Sequence, residues 1–315
     1  MVRLDMPATL PDRRIPGFYR ACLQRSVLRM PALGAVLLLS VAGAAQADGK
    51  HFLWRVSKGA DVMYLAGSVH VLRPSEYPLP AAMEQAFSVS VGLVEEIDLA
   101  DLDAEDMQLQ MLQSGGYRDG RTLQSGVPPD VYQKVVQRAR EAGLDMTVVD
   151  GLKPWLVSIM LLDTELAKSG YAASDGADLH FASEARAGNK PVIGLEQAQY
   201  QIGMLAGLSD KAQQTLLQQS LDESADFDTE MQGMLTAWHT GDTAALEKEL
   251  TQEFGGYPDI YQAVLVTRNQ AWMPKLETLL GSGKQYFVVV GALHLVGPDG
   301  LLARFKKDGY TVEQL

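Results

Sequence analysis

Near opposite ends of the chain two apolar segments finish the same way. Val62-Met-Tyr-Leu-Ala66 runs into Gly67-Ser-Val-His70, and Phe287-Val-Val-Val290 runs into Gly291-Ala-Leu-His294. Runs rich in β-branched and aromatic residues read as strands. A glycine at the strand end lets the backbone turn without a Cβ clash. The histidine then falls just past the strand, where parallel sheets keep their binding crevices. A single Gly-x-x-His carries little information, since with 29 Gly in 315 residues a given His has one three positions earlier about one time in eleven by chance. Two copies, both placed at strand ends, imply two related half-units that pair into one sheet.

The rest of the chain is read around that constraint. Segments 52–57 and 62–66 form a hairpin across Lys58-Gly-Ala-Asp61. A short helix at 81–87 precedes a valine-rich third strand, 91–98. Helical periodicity broken by Gly and Pro fills 103–113, 129–142, 154–168, 176–187, 197–206, 209–238, 243–253 and 268–280. One short apolar strand, Pro191-Val-Ile-Gly-Leu195, interrupts it. Strand 285–290, helix 301–307 and strand 310–313 close the chain. The expected fold class is α/β (α+β): a central mixed β-sheet built from two half-units, with a large helical insertion at about 103–280, in a single domain over 48–315.

Charge divides the chain. Up to Ala47 there are six Arg, no Lys and two Asp, a net +4 that leaves −16 on the remaining 268 residues. Those arginines precede the apolar run 32–45 and then Ala45-Gln-Ala47, the pattern of a signal peptide cleaved after Ala47. The run is too short to span a bilayer as a helix. The expected location is therefore periplasmic or secreted, with no stable membrane insertion after cleavage. Cys22, the one cysteine, lies in the leader, so thiolate chemistry and Cys-ligated metals are excluded from the mature chain. Its acidity argues against nucleic acid as a partner.

The third strand supplies carboxylates. Glu95 and Glu96 are adjacent and face opposite sides of the sheet; Glu95 reads as a solvated strand-end residue, and Glu96 shares a face with Asp98. If this strand neighbours the two His-bearing strands, His70, His294 and Glu96 converge. Two imidazoles and a carboxylate make a site for a divalent ion such as Zn, Mn, Co or Fe(II), with positions left open for water. Asp98 is the candidate to orient an imidazole or take a proton, and Arg268 to stabilise an oxyanion or hold a substrate carboxylate. His180 reads as structural, with a site-lining role beside Asp178 as the alternative. Glu196 either reaches the site or caps the next helix, and His51 and His239 read as exposed.

The ordered set of Gly-Ser-Val-His and Gly-Ala-Leu-His, Glu96-Ile-Asp98, Gly194-Leu-Glu196 with Gln199, and Arg268-Asn269 before Trp272 resembles the TraB/GumN family over nearly all of the chain from Phe52. It is similar to the bacterial branch, related to the Tiki metalloproteases and more distantly to erythromycin esterase and ChaN-like proteins. The resemblance implies a mixed α/β core with a helical insertion and a divalent ion, Mn, Co or Zn, held by His70, His294 and Glu96. In Tiki proteins that site hydrolyses peptides, and with the residues named above the first reading is a hydrolase acting on a peptide or small carbonyl substrate. A non-catalytic envelope protein that binds a metal, haem or small ligand is the competing reading. A homodimer is left open.

Overall fold

The structure is a computed structural model that describes residues 49–98, 104–222 and 227–315; the expected leader lies outside them. The chain enters on an antiparallel hairpin, β1 (Leu53–Lys58) and β2 (Asp61–Ser68), with Lys58 opposite Asp61. Its turn uses Gly59 at φ +62°, a conformation that costs glycine little. Helix α1 (Ala81–Val89) leads to β3 (Gly92–Ile97). The insertion then runs through α2 (Ala104–Gly115), α3 (Leu123–Gly126), α4 (Pro129–Glu141), α5 (Met146–Val149), α6 (Pro154–Lys168) and α7 (Ala177–Ala187). Strand β4 (Val192–Glu196) follows, then α8 (Ala198–Ala206), α9 (Asp210–Asp222), α10 (Phe227–His239), α11 (Thr243–Phe254), α12 (Pro258–Tyr261) and α13 (Thr267–Leu280). Strand β5 (Tyr286–Gly291), α14 (Leu301–Lys307) and β6 (Thr311–Gln314) end it.

The sheet has the order β4-β3-β5-β2-β1-β6. Strands β4, β3, β5 and β2 are parallel, and β1 and β6 add antiparallel pairs. Parallel neighbours need helical crossovers, which is why so much helix lies between so few strands. The expected mixed sheet is thus present, and the two Gly-x-x-His strands, β2 and β5, are direct neighbours with Ser68 opposite Gly291. Because four strands run the same way, their C-terminal ends share one edge. That edge gathers residues 68–70, 96–98, 196 and 291–294.

Two clusters of buried side chains hold the chain. One packs both faces of the sheet and includes Phe52, Leu65, Phe181, Trp238, Trp272 and Val288. The other lies within the helices and includes Leu123, Val135, Trp155, Leu161 and Leu217. Of the helix expected over 209–238, α9 covers Asp210–Asp222 and α10 Phe227–His239, and 223–226 lie outside the described residues. Helices α3 and α5 are one turn each, too short to leave a period in the sequence. A wide π turn, Gln262–Val266, precedes α13. Among the described residues no helix is long and apolar enough to cross a membrane.

Candidate functional site

Glu96 stands at the centre of the shared edge. Its Oε1 accepts the Gly291 backbone N–H at 2.8 Å and lies 3.9 Å from Nε2 of both His70 and His294. A Cβ on Gly291 would come within 3.0 Å of His70 Nε2 and 3.3 Å of Glu96 Oε1. The second motif glycine therefore leaves the space in which the three side chains meet.

The two histidines are held differently. His70 is bonded through Nδ1 to Asp178 Oδ2 at 2.8 Å, and its side chain is 56% exposed. Asp178 gets there because α7 starts against the loop after β2. Ala177 N–H donates to the Val69 carbonyl at 3.1 Å, and a Cβ on Gly176 would lie 2.3 Å from the His70 carbonyl oxygen, so a side chain there would block the approach. His294 is buried, and its Nδ1 meets Asn269 Oδ1 at 2.7 Å while Asn269 Nδ2 donates to the carbonyls of His294 and Asp299. Both Nδ1 positions are thus taken, by Asp178 and Asn269, and Asp98 lies just beyond the end of β3.

Arg268 joins the carboxylates. It is buried, donates through Nη2 to Glu96 and, at 2.6 Å, to Glu196, and through Nη1 at 3.0 Å to His294 Nε2. Nη1 also reaches the Val264 carbonyl at 3.2 Å, inside the π turn. Glu196, at the end of β4, receives the Trp272 indole N–H at 2.9 Å and a Gln201 N–H at 2.8 Å, so it belongs to the site rather than to a helix cap. Glu95 is buried, 1% exposed, because β3 lies between β4 and β5; the expectation of a solvated Glu95 is corrected. His180 pairs with Glu84 at 2.8 Å and His239, expected exposed, is half-buried against Glu76 at 2.7 Å.

Charge follows this packing. Burial works to raise the Glu96 carboxyl, and His294, His70, Arg268 and the Gly291 N–H outweigh it, taking it down to about 2. Burial would lower His70, yet the charge and hydrogen bond of Asp178, with Glu96, lift it to about 9. His294 has no carboxylate on Nδ1, and burial, with Arg268 and His70 adding, pushes it down to about 3 against the pull of Glu96. Burial alone would lower Arg268, but Glu96 and Glu196 hold it above its ordinary value.

The donor types fit a divalent ion. His294 is neutral with Nδ1–H bonded to Asn269, so its Nε2 lone pair faces Glu96, and the space is kept by Gly291. The spacing is open, however. Among the described residues no three of His, Cys, Asp and Glu stand close enough to enclose an ion, and Arg268 occupies the His294 lone pair. Seating an ion on His294 therefore means displacing that Arg268 hydrogen bond. A cleft of about 260 Å³ opens at this edge, lined by Ser68, His70, Glu96, Asp178, Leu179 and Gln201 among others.

The sequence offers Asp178 only beside His180 and Asn269 only within the Arg268-Asn269 pair, neither as an Nδ1 partner, and it does not single out Gln201. Gln199 is exposed, and Gln201 two positions on makes the contact. No local pattern announces these three, since each finds its partner across an element boundary.

The model of the TraB/PrgY/gumN family matches residues 52–314. An uncharacterized protein YbaP of Escherichia coli (strain K12) is 26% identical over 257 residues, spanning 80% of this chain and 92% of the relative. The YbaP of Shigella flexneri gives the same figures, and an uncharacterized protein of Treponema pallidum (strain Nichols) is 25% identical over 177 residues, 52% of this chain and 53% of its own. No solved structure matches. A match over both motif strands and everything between them leaves one assignment: the chain belongs to the TraB/PrgY/gumN family.

Proposed function

We propose that the protein is an exported, divalent-metal-dependent hydrolase of peptide or other small carbonyl substrates, with the ion held by His70, His294 and Glu96. The observation that carries this reading is the convergence of two Nε2 atoms on one Glu96 oxygen, each 3.9 Å away, at the mouth of a cleft. When bound, a divalent ion supplies carbonyl polarisation and a water of lowered pKa. The chain's own groups do the rest. A carboxyl held at about 2 is a poor base, so Glu96 acts as an anionic anchor rather than as the proton acceptor. His70, oriented through Nδ1 by Asp178, offers its Nε2 to the ion at the cleft. Arg268 fixes the Glu96 and Glu196 carboxylates and neutralises them in part.

The test is ion content. Protein purified without chelator and then offered Mn, Co or Zn is expected to hold a stoichiometric ion, with binding lost in His294→Ala and Glu96→Ala. A wild-type protein that takes up no ion sinks the metal centre. Ion uptake with no cleavage across a broad peptide and ester panel leaves a metal-binding envelope protein instead.

A further inference from the structure

We propose that Gln201 reads the substrate: its side-chain carbonyl oxygen accepts an N–H of a bound peptide, which makes the cleft selective for amides over esters. This rests on the hydrolase reading for its substrate class but is argued from Gln201 alone. The Gln201 Nε2 donates to two carboxylates, Glu96 Oε2 at 3.2 Å and Glu196 Oε1 at 2.8 Å. A primary amide has two N–H donors, and both are used there. The orientation is set by charge, because turning the amide over would aim its oxygen at two carboxylate oxygens. Oε1 is thereby directed away from the Glu96–Glu196–Arg268 network.

Among the described residues Oε1 has no hydrogen-bond partner, and it is not among the buried polar atoms left without one, so it is not fully buried. Gln201 is half-buried and lines the cleft beside His70, Asp178 and Leu179. The neighbouring side-chain acceptors differ from it: Glu96 Oε1 already takes the Gly291 N–H, Asp178 Oδ2 is bonded to His70, and Asp178 Oδ1, though unpartnered, is buried away from solvent. A fixed, neutral, outward-facing acceptor within the same cleft as His70 and Glu96 is what a backbone N–H near a scissile carbonyl requires. An ester offers an oxygen at that place, which would meet Oε1 lone pair to lone pair. A site built to accept a substrate N–H rejects the analogue that lacks it, since the site's own polar group is then left unpaired.

The experiment measures binding, so that it does not depend on turnover. A pooled set of short end-blocked peptides of varied sequence, each matched by depsipeptides that replace one N–H with O at every position in turn, is titrated onto the full mature protein by ligand-observed NMR. Wild type is expected to lose about tenfold in affinity for the replacement at one position. Gln201→Met, which keeps the length but has no acceptor, is expected to bind that amide and its ester alike. A merely structural role for Gln201 would weaken both ligands together and leave their ratio unchanged. Gln199→Met, at an exposed position two residues away, should behave as wild type. A discrimination that persists in Gln201→Met, an absence of discrimination in wild type, or no peptide binding at all would each overturn the assignment. Amide-selective binding by a protein that holds no ion and cleaves nothing would uphold Gln201 while removing the hydrolase reading.

Discussion

His70 and His294 are the same chemical group made into opposites by what holds Nδ1. A carboxylate, Asp178, takes that position on His70, and a neutral amide, Asn269, takes it on His294. The consequences for stability have definite signs. His70, raised from 6.5 to about 9, contributes stability that is complete below pH 6.5 and lost as pH rises through about 9. His294, lowered from 6.5 to about 3, and Glu96, lowered from 4.5 to about 2, contribute above those unfolded values and lose it as pH falls. These three groups together place the optimum near pH 6.5. In Asp178→Asn the decline between pH 6.5 and about 9 should flatten, while the acid limb stays. Thermal melts across about pH 4 to 10, which spans the whole alkaline limb and the upper part of the acid limb, check this, and an unchanged alkaline limb would remove Asp178 as its cause. Water at the cleft mouth screens His70, so the effect will be modest. At this scale the sequence showed the histidines and Glu96 as candidates, but not their Nδ1 partners.

Helix α13 and strand β4 are joined by charge as much as by packing. Arg268 from α13 lies between Glu96 of β3 and Glu196 of β4, and Trp272, one turn on, donates to the other Glu196 oxygen. Removing the cation leaves two buried carboxylates facing each other. Arg268→Met is therefore expected to destabilise by about 3–5 kcal/mol. Glu196→Gln, which removes one charge and leaves the Glu96–Arg268 pair in place, should cost less. Denaturant unfolding of both variants tests the order, and a reversed order would mean that Glu196 rather than Arg268 organises this end of the sheet. Element positions were largely readable: the 154–168 helix occurs as α6 (Pro154–Lys168) and the 301–307 helix as α14 (Leu301–Lys307), because Pro, Gly and apolar period mark such segments locally. The π turn before α13 was not readable, since no Gly or Pro lies within Gln262–Val266 to mark it.

At the scale of the whole molecule the described residues form two buried clusters, and α8 touches both the helical cluster and the site. Its Ile202 packs in the helical cluster, and Gln201 beside it reaches Glu96 and Glu196. Trp155 is 1% exposed within that cluster. Trp155→Ala is expected to cost about 3–5 kcal/mol and to act locally. Amide hydrogen exchange should then speed up in α4, α6 and α9 before it does in β2, β3 and β5. Equal acceleration in the sheet would show that the clusters unfold as one.

Local chemistry in the sequence determined that strands at the two ends finish in Gly-x-x-His, that a valine-rich strand brings Glu96, and that no thiol follows Cys22. Apolar period and turn residues act over a few positions, so they survive reading without a structure. Only the tertiary structure decided which groups face each other. Asp178 meets His70 across 108 positions, and Arg268 meets Glu96 across 172. Such contacts are set by parallel crossovers that bring four strand ends to one edge, and no local pattern encodes the partner found there.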